Sequence, residues 1–74
     1  MKGVSVGRIV HYVRVADGRH FAGIISGVKR AELGVVSLTV FTDEFYEKLI
    51  HVEPVYYDAE TAEGTWHWPE RDEE

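Results

Sequence analysis

Val6-Gly7-Arg8-Ile9-Val10-His11-Tyr12-Val13-Arg14-Val15, then Asp17-Gly18, then His20 through Lys29, is the stretch that decides the fold. β-branched and aromatic residues dominate it, and apolar and polar side chains alternate, which is the pattern of a half-buried strand. Ile9, His11, Val13 and Val15 fall on one face, expected to be core. Arg8, Val10, Tyr12 and Arg14 fall on the other, expected to be partly solvated. Asp17-Gly18 between two such strands predicts a tight hairpin, because both central positions of a type I′ turn need φ > 0. In the return strand, Gly23 and Gly27 share a face with Phe21 and Ile25. Glycines inside a strand mark bulges or close backbone approach, and small barrels need such bends to close.

Outward from this hairpin the chain stays β-rich. Lys29 to Gly34 reads as a polar loop in which Glu32 sits in a single helical turn ended by Gly34. Val35 to Phe41 is a third strand, with Val36, Leu38 and Val40 on one face. Asp43 and Glu44 mark a turn. Phe45 to Val52 fits either a helix or a short strand around Lys48 to Val52, and the β context favours the strand. Pro54 interrupts, and Val55-Tyr56-Tyr57 is a short extended piece suited to an edge. Gly64-Thr65-Trp66-His67-Trp68-Pro69 is a last strand ended by proline. The expected architecture is mostly β, a five-stranded antiparallel barrel of SH3-like or OB-like type over residues 1–69. The alternative is an open antiparallel sheet completed by dimerisation. Residues 70–74 form a charged tail, expected to be flexible.

At 74 residues there is room for one core. A chain this short buries only about 60% of the surface its unfolded form exposes, so outside support is expected. With no cysteine that support is not a disulfide, which leaves homo-oligomerisation. No apolar run approaches the roughly 20 residues that span a bilayer, and no signal peptide is visible. The expected location is the cytoplasm or an assembled particle. The net charge of −5 is unevenly spread. Residues 1–40 carry six basic and two acidic side chains, a balance of +4; residues 41–74 carry two and eleven, a balance of −9. Duplex nucleic acid needs a broad basic footprint and is disfavoured. A local anion site on the first half remains open, as does docking of the acidic half on a basic partner.

Trp66-His67-Trp68 is the sharpest feature. In a strand both indoles point one way and His67 the other. Two indoles form either a stacking platform for a base or a hot spot for a protein partner, or else a cap on the open end of the barrel core. Tyr12 between Arg8 and Arg14 suggests an aromatic plate flanked by anion-gripping guanidiniums, or an ordinary solvated face. The candidate ligand-binding set is therefore Trp66, Trp68, Tyr12, Arg8, Arg14 and His67. His11, His20, His51 and His67 are all far apart in sequence and there is no cysteine, so no metal site is expected, and His11 is assigned to the core. Ser5, Ser26 and Ser37 lie in no nucleophile elbow, and no glycine-rich segment is followed by the Lys-Ser/Thr of a phosphate loop. No catalytic residue and no cofactor is expected.

The opening Val6-Gly7-Arg8-Ile9-Val10-His11-Tyr12-Val13 and the closing Gly64-Thr65-Trp66-His67-Trp68-Pro69-Glu70 together resemble a group of small, mostly uncharacterised proteins of actinobacteriophages and actinobacterial prophages. Those proteins pair a G-x-I-V-H-Y-V start with a G-T-W-H-W-P-E finish. This chain is shorter between the first two strands, where that group carries a longer polar loop, often with a cysteine. The resemblance implies a phage context, in the infected cell or the virion, and no assigned activity. By analogy of size and context alone, some small phage proteins sequester host nucleotide immune signals as oligomers. The leading expectation is thus a non-catalytic homo-oligomer that binds an anionic, nucleotide-like molecule in evasion of host defence. Trp66 and Trp68 would stack on its base, and Arg8 and Arg14 would meet phosphate or ribose. The alternative is a protein-interaction module, either a virion component or an acidic inhibitor of a basic host protein, with Asp43, Glu44 and Glu47 at the interface.

Overall fold

The computed structural model describes residues 1–43 and 48–69. Five strands, β1 (Ile9–Val13), β2 (His20–Arg30), β3 (Val35–Phe41), β4 (Leu49–Tyr57) and β5 (Thr65–His67), form one closed barrel. A 3₁₀ turn, Ala31–Leu33, links β2 to β3 and ends at Gly34, which adopts the left-handed conformation at φ 71°. The first four strands run as an antiparallel meander, and β5 closes the ring by pairing antiparallel with β1. The β4–β5 seam is parallel, so the barrel is mixed rather than wholly antiparallel. Closure within a single chain overturns the open-sheet alternative: β1 finds β5 of its own chain, and no second copy is needed to complete the sheet.

The core is filled by Val10, Tyr12, Phe21, Ile25, Val36, Leu38, Val40, Val55 and Trp66. This reverses the expected faces of β1. Val10 and Tyr12 point inward, while Ile9 stands 59% exposed and His11 lies on the outer wall, half-buried. Val13 is buried as expected, and Val15 is exposed beyond the strand. Arg8 and Arg14, which made the second face look solvated, lie just outside the two ends of the strand.

Local irregularities fall where the sequence carries the residues for them. β2 shifts register against β3 between Ile25 and Gly27, the bulge its glycines announce. A Cβ at Gly23 would approach the Thr39 carbonyl oxygen to 3.3 Å, so glycine lets β2 and β3 pack closely there. The β3–β4 pairing steps from Leu38↔Val52 to Val36↔Val55, and Pro54 sits in the slack of that shift. Proline, lacking an N–H, is thus accommodated inside a continuous strand and not at an edge. The hairpin loop departs from a two-residue I′ turn. Arg14 N–H donates to Arg19 O at 2.9 Å and Gly18 N–H to Arg14 O at 2.8 Å, and of the Asp17-Gly18 pair only Gly18 has positive φ. The Asp17 carboxylate holds the loop instead, accepting from the Arg14 guanidinium and from Arg19 N–H. The predicted turn residue Glu44, the start of the 45–52 segment and the tail at 70–74 lie outside the described residues.

Candidate functional site

β5 is short, and its three residues alternate strictly. Trp66 points into the barrel and has no exposed surface. Its Nε1–H donates to Gly34 O at 2.7 Å, and its ring meets Tyr57 edge-on at 5.0 Å. A base has no access to it, which corrects the role expected of Trp66 and leaves the core-cap reading. Tyr12 is likewise 5% exposed inside the core, and burial raises its hydroxyl pKa above the ordinary tyrosine value. Trp68 follows on the same side, partly buried and T-shaped against Trp66 at 5.0 Å. Arg8 lies over the Trp68 ring with its guanidinium carbon 5.1 Å from the centroid, and Gly3 packs beside both.

The expected Arg8–Tyr12–Arg14 grip does not assemble. Arg8 precedes β1 and Arg14 follows it, six residue steps that span about 20 Å of extended chain, too far to converge on one small molecule. Arg14 instead lies over Phe21 at 4.8 Å and is bound to Asp17 at 2.6 Å. Arg19 lies over the same ring at 5.0 Å and reaches Asp43 at 2.5 Å. The Arg14 hydrogen bond holds the Asp17 carboxyl down at about 2, and the Arg19 bond holds that of Asp43 low.

Other cations of the first half are also met by carboxylates. Lys29 lies 3.7 Å from Glu53, and Arg30 3.2 Å from Glu32. Glu53 also accepts from the Ser37 hydroxyl at 2.9 Å and contacts His51 Nε2 at 3.2 Å. Those bonds, the Ser37 one foremost, hold its carboxyl below the usual range. Four of the six basic side chains of the first half are thus paired, two of them with acids of the other half. Exposed Glu60 and Glu63, on the β4–β5 loop, have no such ion pair to a described cation and leave that loop acidic. Among the described residues no ligand-sized cavity opens, because the barrel interior is packed with side chains.

His67, the remaining candidate, points outward from β5 yet is only 5% exposed. It sits opposite His11 in the β1–β5 register, with the rings 5.5 Å apart and nearly perpendicular. His20, which opens β2 opposite Val13, meets the same ring at 4.9 Å. Sequence reasoning separated these three histidines, and His11 is on the outer wall instead of in the core. Only the strand register brings them together, and no spacing along the chain signals it. No protein-family model, curated protein or solved structure matches this chain.

Proposed function

We propose that the protein is a non-catalytic interaction module that docks through its outer surface on a basic protein partner, in the phage setting its terminal motifs suggest. The observation that carries this reading is the pairing of Arg14, Arg19, Lys29 and Arg30 with carboxylates of the same chain. The chain as a whole keeps a net charge of −5, to which the exposed Glu60 and Glu63 contribute, and it exposes apolar side chains such as Tyr56 on β4. Surplus charge of one sign steers a partner of the other, and apolar neighbours supply the contact energy. Asp43, expected at such an interface, is instead engaged with Arg19, and Glu44 and Glu47 lie outside the described residues.

The test is affinity capture from host lysate at two salt concentrations, with wild type beside Glu60→Lys/Glu63→Lys. A partner of high isoelectric point, retained at low salt and lost on charge reversal, supports the reading. Identical capture by both proteins overturns it. A second reading, an anionic base-bearing small molecule held by an oligomer, is favoured by one contact, the Arg8 guanidinium over the partly exposed Trp68 ring. Trp68 is the indole of the pair with surface to offer.

A further inference from the structure

We propose that His11, His20 and His67 form a binding site for one divalent late transition-metal ion, of the Zn²⁺ class, on the outer wall of the barrel. One imidazole nitrogen from each residue lies within 4.8 Å of the others. The three come from three adjacent strands, β5, β1 and β2, so the backbone hydrogen-bond ladder fixes their Cα positions. A tetrahedral ion with Zn–N bonds of about 2.0–2.1 Å sets its ligand nitrogens roughly 3.3 Å apart. Closing a 4.8 Å triangle to that size moves each nitrogen inward by about 1 Å. Small rotations about side-chain torsions supply such a shift without moving the strands.

The donor set names the metal class. Three imidazole nitrogens, with no carboxylate in the group among the described residues, suit Zn²⁺, Cu²⁺, Ni²⁺ or Co²⁺; Ca²⁺ and Mg²⁺ require oxygen ligands. The burial gradient gives the site an inner and an outer side: His67 is buried, His11 half-buried and His20 exposed. An ion would therefore enter from the side of the exposed His20, and three protein ligands leave a fourth position to be filled. Three protein ligands plus an exchangeable fourth is an open coordination shell, unlike the closed four-ligand shell of a purely structural zinc. Such an ion would also tie β5, only three residues long, to β1 and β2. This inference stands apart from the docking reading, since it uses none of the acidic residues.

The untagged full-length chain is titrated with Zn²⁺ by calorimetry and with Co²⁺ by visible absorption. The expected result is one ion per chain and the intense d–d bands of a low-coordinate, nitrogen-rich Co²⁺ site. His67 is buried and its replacement risks the fold, so His20→Ala and His11→Ala are the decisive variants, each checked by circular dichroism. Each is expected to weaken Zn²⁺ binding at least tenfold. His51→Ala, which removes the histidine beside Glu53, is expected to leave it unchanged. Absence of saturable binding to millimolar Zn²⁺, or wild-type affinity in a folded His20→Ala, overturns the site and leaves three packed aromatic rings.

Discussion

Trp66 Nε1–H donates to the carbonyl of Gly34 at 2.7 Å, tying the last strand to the turn that leads into β3 across the buried interior. This bond closes the barrel from inside, while the β1–β5 ladder closes it along the wall. Trp66→Phe keeps most of the apolar volume but strands a buried carbonyl, at a cost of about 1–3 kcal/mol. Trp66→Ala adds a cavity, for about 3–5 kcal/mol. A chain of this length has only roughly 4–11 kcal/mol of stability at 0.05–0.15 kcal/mol per residue. Chemical denaturation is expected to show a folded but weakened Phe variant and a marginal Ala variant. Equal stability of all three would mean that the indole is not the core closure.

The acceptor of that bond is itself sterically fixed. Gly34 has φ of +71°, and a Cβ there would lie 2.8 Å from Tyr57 Cβ and 3.1 Å from Met1 Cε. Gly7 has φ of +97° with open space around it. Gly34→Ala therefore combines a left-handed backbone cost of about 1–2 kcal/mol with a clash, and Gly7→Ala has the backbone cost alone. Thermal melts of the two variants are expected to differ, with Gly34→Ala the lower. Each kcal/mol corresponds to about 4–8 °C at this size.

Acid stability follows from the carboxylates. The folded Asp17 carboxyl sits at about 2, below its ordinary 3.8, chiefly through the Arg14 hydrogen bond. A depressed folded pKa stabilises the fold above the unfolded value, and that contribution is lost as pH falls through the folded one. Asp17, Asp43 and Glu53 all shift downward, so they act in the same direction. Asp17→Asn is expected to flatten the stability profile between about pH 4 and pH 2, and to leave the neutral-pH pairs elsewhere intact. All three groups are solvent-exposed, so the pH dependence is expected to weaken at high salt. Carbon-13 titration of the Asp17 carboxyl reads the shift directly, and an ordinary value would remove the prediction.

How far the sequence spoke depended on whether a feature was local. Gly34 ending a helical turn, Val35 to Phe41 as a strand and the bulge near Gly27 were legible because each rests on neighbouring residues. The inward face of β1 is not legible in the sequence because Arg8 and Arg14 give it a solvated pattern, although both lie beyond the paired residues. Pro54 looked like a strand end because a register shift that absorbs it is a property of two strands. The anion grip does not form because Arg14 meets Asp17 and Phe21, supplied by the hairpin loop and by β2, while Arg8, beyond the other end of β1, lies over Trp68. The histidine cluster was invisible because its members share no spacing and meet only through the β1–β5 and β1–β2 registers.

The Arg8–Trp68 contact separates the two functional readings. The guanidinium lies over the ring at 5.1 Å, a geometry worth about 0.5–1 kcal/mol at an exposed site. Arg8→Ala is therefore expected to cost little stability while uncovering an indole face. If this pair holds an anionic base-bearing ligand, a nucleoside triphosphate quenches Trp68 emission in wild type, and both Arg8→Ala and Trp68→Phe abolish the quenching. In Trp68→Phe the buried Trp66 is the sole remaining indole, and its emission is expected not to respond. Saturable quenching that depends on Arg8 would move the weight to the small-molecule reading, because stacking on one indole alone is sequence-tolerant but still sensitive to the adjacent cation. No quenching at millimolar nucleotide would leave Arg8 as a cap on the barrel end, and the acidic β4–β5 loop as the surface to pursue.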